Sequence, residues 1–189
     1  MIFDAKDKII QYRPTPKCGC TSTKMMIHKG INGQNADYGD DIHDKYTTST
    51  FIDWPYADIK FCIVRDPVSR FVSAYSNRVC RHYDIKFVEF DEFIDGFCNK
   101  YYESNKSIYH HFQPQVDFIG RNPDYYDRIF SLDEMPLVSE FLSEIMGKPI
   151  KLEKLQVGHI NKPIPTETQI DFIKSLYEDD YTFLEQIKK

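Results

Sequence analysis

The chain has 189 residues, which suits one domain with its own hydrophobic core. Its composition, with 41% hydrophobic, 15% aromatic and 28% charged residues, is globular and excludes a disordered chain. The net charge of −5 disfavours nucleic-acid binding, because a phosphate backbone requires a basic surface. We therefore expect a single domain over residues 1–189.

The sequence gives no sign of a membrane segment, a disulfide framework or a metal site. No apolar run approaches the roughly 20 residues that span a bilayer, and the first ten residues lack the apolar core of a signal peptide. We expect a cytoplasmic protein, although a catalytic domain taken from a longer membrane-anchored protein would read the same. The five cysteines are an odd number, and the pair Cys18 and Cys20 has neither zinc-type spacing nor a second ligand pair. Oligomeric state stays open.

Strands and helices are predicted to alternate along the chain. Three buried strands are predicted at residues 8–12, 60–64 and 128–131. Helices are predicted at residues 21–30, ending at Gly30; from Pro67 towards Arg81; from a capping Asp91; at residues 134–146; and from a capping box at Thr166 as far as Ile187. Residues 31–50 are predicted to be mainly loop. This order indicates an α/β protein with a parallel sheet covered on both faces.

The first predicted strand and helix are joined by a phosphate-loop pattern. Residues 1–30 hold six Lys or Arg against two Asp, although the whole chain is acidic. Within them residues 16–24 read PKCGCTSTK, and the start of a helix offers N–H groups and partial positive charge to an anion. Gly19 permits a close approach, Thr21 and Ser22 add hydroxyls, and Lys17 and Lys24 supply charge. The alternative is an ordinary Ser/Thr helix cap beside solvated lysines.

A second basic stretch follows the strand at residues 60–64. Residues 60–81 hold five Lys or Arg against one Asp, and residues 65–75 read RDPVSRFVSAY. Arg65 lies at the carboxyl end of the strand, where open α/β sheets bind ligands. Ser73 is about two helical turns further on and is expected to face the same ligand. The pair predicts a second phosphate site in the same crevice as the first.

The two stretches resemble the donor-binding motifs of the sulfotransferase superfamily. PKCGCTSTK resembles its 5′-phosphosulfate loop and RDPVSRFVSAY its 3′-phosphate motif. HFQPQ at residues 111–115 and YEDDY at residues 177–181 resemble segments of the carbohydrate sulfotransferase branch, so the resemblance extends from about Pro16 to Tyr181. It implies a three-layer, P-loop-like α/β fold with a central parallel sheet. It also implies a sulfonyl donor, 3′-phosphoadenosine-5′-phosphosulfate (PAPS), with adenosine 3′,5′-bisphosphate as product, no metal, and an acceptor hydroxyl that is usually on a sugar.

Motif position assigns the donor-binding residues that this resemblance implies. The 5′-phosphosulfate would be held by the loop residues Lys17, Cys18, Gly19, Cys20, Thr21, Ser22, Thr23 and Lys24. Arg65 and Ser73 would hold the 3′-phosphate. Many relatives carry an aromatic residue where this chain has Thr23.

Catalysis requires a cation for the leaving phosphate and a base for the acceptor hydroxyl. Lys17 is the expected stabiliser. His43 is our candidate base, because it lies in the polar segment between the two motifs and some uronyl-type relatives place a catalytic His similarly. His111 is the second candidate, and His110 and the carboxylates Asp40, Asp41 and Asp44 are weaker ones.

Two other functions remain open at this stage. A kinase-like phosphoryl transferase would also use a phosphate loop, but it needs Mg²⁺ and the sequence has no convincing Walker A and B pair. A non-catalytic nucleotide-binding module would keep the phosphate contacts without a base. Acceptor specificity is expected in residues 31–56 and 82–112, and the net negative charge favours a neutral acceptor over a sulfated polyanion.

Overall fold

A computed structural model describes residues 1–34, 42–152 and 162–188. The strands are β1 Ile2–Ala5, β2 Lys8–Arg13, β3 Ile59–Val64 and β4 Arg128–Ser131. The helices are α1 Cys20–Asn32, α2 Ile42–Lys45, α3 Pro67–Arg78, α4 Phe90–Asp95, α5 Lys106–Phe112, α6 Val116–Ile119, α7 Met135–Met146, α8 Glu167–Leu176 and α9 Glu178–Gln186. A π-helical segment spans Phe97–Tyr101, and short 3-10 turns span Pro123–Tyr125 and Leu132–Glu134.

The chain divides into two compact units. The first comprises Met1–Val64 with Gln115–Val157, and the second comprises Arg65–Pro114 with Gly158–Lys189. That the whole chain is one domain stays a prediction. Among the described residues, no helix is both long enough and apolar enough to cross a bilayer.

The first unit contains a mostly parallel sheet in the order β1-β2-β3-β4. β2, β3 and β4 run parallel, as the sequence predicted, and their bounds agree with the predicted strands to within a residue. β1 was not predicted, and it pairs antiparallel with β2. The two strands are joined by a tight turn in which Lys6 has φ 52°, a left-handed conformation that the sequence did not signal.

Both faces of this sheet are covered. On one face Tyr12, Phe61 and Ile63 pack in one buried cluster with residues of α1 and α7. On the other face the Arg13 side chain donates to the carbonyl of Phe118 in α6. Alternate strand residues thus point to two covered faces, which confirms the α/β fold with flanking helices.

The second unit has an aromatic core. Phe71 of α3 makes ring contacts with Phe90, Phe93, Phe97 and Phe112 at centroid distances of 4.8 to 6.3 Å. These rings belong to α4, the π-helical segment and α5, which therefore pack against α3. Much of the chain's large aromatic content serves this core.

Helix α1 is longer than predicted, because Gly30 does not end it. The helix continues to Asn32 and ends at Gly33, whose φ of 75° is the left-handed conformation of a helix C-terminus. A Cβ on Gly30 would clash with Sδ of Met146. Gly30 is therefore explained by the close packing of α1 against α7.

The predicted final helix is two helices. Its capping box is confirmed, since Thr166 and Gln169 exchange side-chain and backbone hydrogen bonds. The helix breaks at Tyr177, whose ψ of 35° interrupts the helical backbone. The Tyr177 hydroxyl is buried and donates to the carbonyl of Phe112, which fixes the break.

Two other predicted boundaries differ. Asp91 is not the cap of α4; Glu89 occupies that position, and Asp91 lies in the first turn, where its carboxylate accepts from Gln169 Nε2. Helix α3 begins at Pro67 as predicted but ends at Arg78, before the predicted Arg81. The helix of residues 134–146 is confirmed, with Glu134 at its cap and Gly147 at its end.

Candidate active site

The phosphate-loop pattern lies between β2 and α1, as its sequence predicted. The first bond of the helix runs from Thr23 N–H to Gly19 O at 3.0 Å. The N–H groups of residues 20–22 therefore precede the internal bonding of α1 and form the positive end of its dipole. Helix α1 begins without a side-chain cap, so the alternative of an ordinary Ser/Thr cap is wrong.

Two loop residues have left-handed backbone conformations. Lys17 has φ 68° and Gly19 has φ 70°. A non-glycine residue with positive φ is uncommon, so Lys17 places local strain in the loop. A Cβ on Gly19 would lie 3.0 Å from Sδ of Met135 and 3.1 Å from Cδ1 of Leu132. Backbone conformation and crowding both explain why glycine occupies position 19.

The loop side chains differ in exposure. Lys17, Thr21 and Ser22 are half-buried and thus accessible to a ligand. Four side chains are buried instead: Cys18, Cys20, Thr23 and Lys24. The Cys18 thiol donates to Oε1 of Gln115 at 3.2 Å, and the Thr23 hydroxyl donates to Gly19 O at 3.1 Å.

His43 contacts the beginning of α1. It belongs to the short helix α2, where its Nε2 lies 2.9 Å from Oγ1 of Thr21. Its Nδ1 lies 3.3 Å from Nζ of Lys24. The ring is exposed, so a substrate can reach it. The fold therefore brings the first candidate base to the phosphate loop.

Residues that the sequence analysis missed hold the segment that follows His43. Nζ of Lys24 donates to Oγ1 of Thr48 at 2.9 Å. Nη2 of Arg13 donates to the carbonyl of Thr50 at 2.7 Å, and burial lowers the pKa of the Arg13 guanidinium. The signal for Arg13 was a cation at the end of an otherwise buried strand, directly before the loop.

The second motif forms the start of α3 in the second unit. Asp66 caps the helix, and its Oδ1 accepts from Ser69 N–H at 2.8 Å. Pro67 is the first helical residue, as predicted. Ser69 is exposed and Ser73 half-buried, and they lie one turn apart on the outer stripe of α3. Arg65, half-buried, directly precedes the cap.

The YEDDY segment contacts this helix start. The Tyr181 hydroxyl of α9 donates to Oδ2 of Asp66 at 3.3 Å. Burial and the neighbouring Asp66 carboxylate raise the pKa of Tyr181 to about 12. The segment resembles one of the carbohydrate branch, and its contact with Asp66 gives it a structural role.

His111 lies at the end of α5, and other groups hold both of its ring nitrogens. Its Nδ1 lies 2.7 Å from the carbonyl of Ser107, so Nδ1 carries the hydrogen and donates. Its Nε2 then accepts from Nη1 of Arg78 at 3.5 Å, and Arg78 in turn pairs with Asp84 at 2.7 Å. The adjacent His110 ring contacts His111 edge-on at 5.3 Å.

Three carboxylates were among the weaker candidates for the base. Asp40 and Asp41 lie outside the described residues, and Asp44 is an exposed residue of α2. Within residues 1–34, 42–152 and 162–188, no group of three or more His, Cys, Asp or Glu side chains is arranged to hold a metal ion.

A mostly parallel sheet, in which a buried strand leads through a tight loop to the N-terminus of a helix, defines a P-loop-like α/β protein. The sequence profile described as the sulfotransferase family matches residues 1–185, so the chain belongs to this family. Membership implies PAPS-dependent sulfotransferase activity, and the protein is thus an enzyme. No curated protein and no solved structure matches the chain.

Proposed function

We propose that this enzyme transfers the sulfonyl group of PAPS to a hydroxyl of a carbohydrate. The observation that carries the proposal is the 2.9 Å contact between Oγ1 of Thr21 and Nε2 of His43. It joins a histidine, which can exchange a proton, to the loop that resembles a phosphosulfate-binding loop. A carbohydrate acceptor is supported by the resemblance of residues 111–115 and 177–181 to the carbohydrate branch. The net charge of −5 favours a neutral glycan.

We assign the 5′-phosphosulfate to the start of α1. The N–H groups of residues 20–22 and the hydroxyls of Thr21 and Ser22 are donors suited to its oxygens. Cys18, Cys20 and Thr23 have buried side chains, so their part is limited to the backbone. The donor supplies the sulfonyl group, and the protein contributes binding, charge and proton transfer.

We assign the 3′-phosphate to Arg65 and Ser73 of the second unit. Arg65 directly precedes the cap of α3, and Ser73 lies on the accessible stripe of that helix. A guanidinium and a hydroxyl together provide charge-assisted hydrogen bonds to a phosphate. Asp66 and Tyr181 stabilise the helix start on which this pair depends.

Lys17 and His43 carry the chemistry. The Lys17 ammonium stabilises the negative charge that develops on the departing phosphate, worth about 2.7 to 4 kcal/mol by analogy with oxyanion donors. His43 takes the proton of the acceptor hydroxyl. His43 is preferred to His111 for this role, because Nε2 of His43 contacts Thr21 of the phosphate loop, whereas the ring nitrogens of His111 contact Ser107 and Arg78.

The test is an assay with PAPS in the presence of a metal chelator. We expect adenosine 3′,5′-bisphosphate to form only when an acceptor is present, with neutral oligosaccharides better acceptors than sulfated polysaccharides. In the same assay Lys17→Ala should lower the rate. The matched control is Lys8→Ala, because Lys8 lies at the exposed start of β2.

Three outcomes would contradict the proposal in different ways. A preference for the sulfated polysaccharide would contradict the neutral acceptor. Magnesium-dependent phosphoryl transfer from ATP would favour the kinase-like alternative. Tight binding of the bisphosphate without turnover on any acceptor would indicate a non-catalytic nucleotide-binding module.

A further inference from the structure

Helix α1 contains a buried lysine whose ammonium group faces His43. The Lys24 side chain is fully buried, at 0% exposure. Its Nζ lies 3.3 Å from Nδ1 of His43 and 2.9 Å from Oγ1 of Thr48. The other ring nitrogen, Nε2, lies 2.9 Å from Oγ1 of Thr21. Both nitrogens of the candidate base are therefore in hydrogen bonds with residues of one helix.

The charge of Lys24 determines which nitrogen of His43 carries the hydrogen. An ammonium group only donates, so beside charged Lys24 the Nδ1 atom must accept, and neutral His43 carries its hydrogen on Nε2. In that form Nε2 donates to Thr21 and cannot act as a base. A base needs a lone pair on Nε2, which places the hydrogen on Nδ1 and requires Lys24 as a neutral amine that accepts it. The two forms differ by one proton.

We propose that Lys24 is a positioning residue for the reaction, acting through His43 as one proton-accepting pair. This inference rests on the proposed function. As the acceptor oxygen bonds to sulfur and its O–H bond breaks, the proton passes to Nε2 of His43, and the Nδ1 hydrogen passes to Nζ of Lys24. The sulfur–oxygen bond to the phosphate breaks, and its electron pair stays on the phosphate oxygen. The pair then releases one proton to solvent before the next turnover.

The surroundings of the pair support a shared proton. Thr48 Oγ1 accepts from Lys24 and stabilises its charged form, and Arg13 holds the backbone beside Thr48. Besides Lys24 and His43 themselves, the charged or titratable residues of the described elements that hold the pair are Lys8, Tyr12 and Arg13 of β2, Cys20, His28 and Lys29 of α1, and Asp44 and Lys45 of α2. Burial, Arg13 and Lys24 lower the pKa of the Met1 amino group to about 5, so that group is uncharged where the pair exchanges its proton.

The experiment follows the ring nitrogens of His43 by NMR in protein with ¹⁵N-labelled histidine. In the unaltered protein we expect the hydrogen on Nε2 while Lys24 is charged and His43 is neutral, and on Nδ1 once rising pH has removed the proton of Lys24. In Lys24→Arg the hydrogen should stay on Nε2 throughout, because a guanidinium donates but does not lose its proton. In Lys24→Met the pH-dependent move of the hydrogen from Nε2 to Nδ1 should disappear, whereas the control Lys29→Met should behave like the unaltered protein.

Measurement of kcat distinguishes a proton shared between Lys24 and His43 from simple orientation of the His43 ring by Lys24. Both Lys24→Arg and Lys24→Met should lose about 10²-fold or more in kcat, because neither side chain accepts a proton. Full activity in Lys24→Arg would overturn the proposal. So would a His43 hydrogen that stays on one nitrogen across the whole pH range in the unaltered protein.

A further variant keeps the proposal testable if the Lys24→Arg protein, with its buried arginine, does not fold. Thr48→Val removes a hydrogen bond to the charged amine, so the exchange between nitrogens should move to lower pH. If the hydrogen of His43 moved between the ring nitrogens at the same pH in Thr48→Val as in the unaltered protein, the shared proton of Lys24 and His43 would be contradicted. If the NMR behaviour is as expected but no acceptor is ever sulfonated, the proposed function fails and the Lys24–His43 pair stands.

Discussion

Oγ1 of Thr21 lies 2.9 Å from Nε2 of His43, although 22 positions separate the two residues in the chain. Thr21 belongs to the first turn of α1, where the backbone N–H groups favour an anion. The contact therefore joins a group that can exchange a proton to a surface that suits a phosphosulfate. The two residues belong to the same compact unit, so this relationship is internal to it.

Replacement of His43 should abolish turnover and spare donor binding. His43→Ala removes the proposed base, so we expect kcat to fall by about 10² to 10⁴-fold. The affinity for adenosine 3′,5′-bisphosphate, measured by calorimetry, should change little. The matched variant His111→Ala should keep substantial kcat and lose stability instead, because it removes the hydrogen bonds to Ser107 and Arg78. Full activity in His43→Ala would transfer the role of base to His111.

Replacement of Lys17 should reduce the rate more than the affinity. Its ammonium interacts most strongly when charge gathers on the departing phosphate, so Lys17→Ala should lower kcat by about 10² to 10³-fold. Rapid-mixing kinetics with PAPS and bisphosphate titration measure the two effects separately. Equal losses in kcat and in donor affinity would mean that Lys17 contributes uniform binding.

The regular elements were predictable because their periodicity and end signals are local. The three parallel strands, the capping box at Thr166 and the Pro67 start of α3 all follow from short stretches of sequence. β1 was not predicted, because the two residues between it and β2 include no glycine or asparagine that would signal a turn. Gly30 was wrongly predicted to end α1, because the reason for a glycine at this position is its close packing against Met146, which is remote in sequence.

The site was predictable in its motifs and less so in its supporting residues. Motif position named Lys17, His43 and Arg65 without knowledge of any contact. The roles of Arg13 and Thr48 depend on where a loop folds back onto α1 and β2, and no periodic pattern encodes such a return. Residue type alone also gave no indication that the Lys24 ammonium faces His43.

Arg65 should confer the preference for a 3′-phosphate. The unaltered protein should bind adenosine 3′,5′-bisphosphate more tightly than AMP, and Arg65→Ala should remove about 1.5 to 3 kcal/mol of that preference, or about 10 to 150-fold. Ser73→Ala should have a smaller effect in the same direction, since it removes an uncharged donor. The exposed Arg81 provides the control Arg81→Ala. An unchanged preference in Arg65→Ala would show that other residues bind the 3′-phosphate.

Gly19→Ala should destabilise the first unit. Its φ of 70° costs an L-residue about 1 to 2 kcal/mol, and the added methyl group would crowd Met135 and Leu132. Gly33→Ala is the matched control, because Gly33 has φ 75° but no heavy atom within 4 Å of its hypothetical Cβ among the described residues. Denaturant unfolding should give a larger loss for Gly19→Ala, and equal losses would contradict the crowding.

The buried thiol of Cys62 should resist alkylation, unlike the exposed thiol of Cys98. Complete burial in β3 raises the pKa of Cys62, so the fold favours the neutral thiol over the reactive thiolate. Its contribution to stability is complete below about pH 8.5, the ordinary thiol range, and declines as the pH rises above that value. Mass spectrometry after iodoacetamide treatment at about pH 8 should show modification at Cys98 and protection at Cys62. Denaturant should expose both thiols, and rapid labelling of Cys62 in the folded protein would contradict its burial.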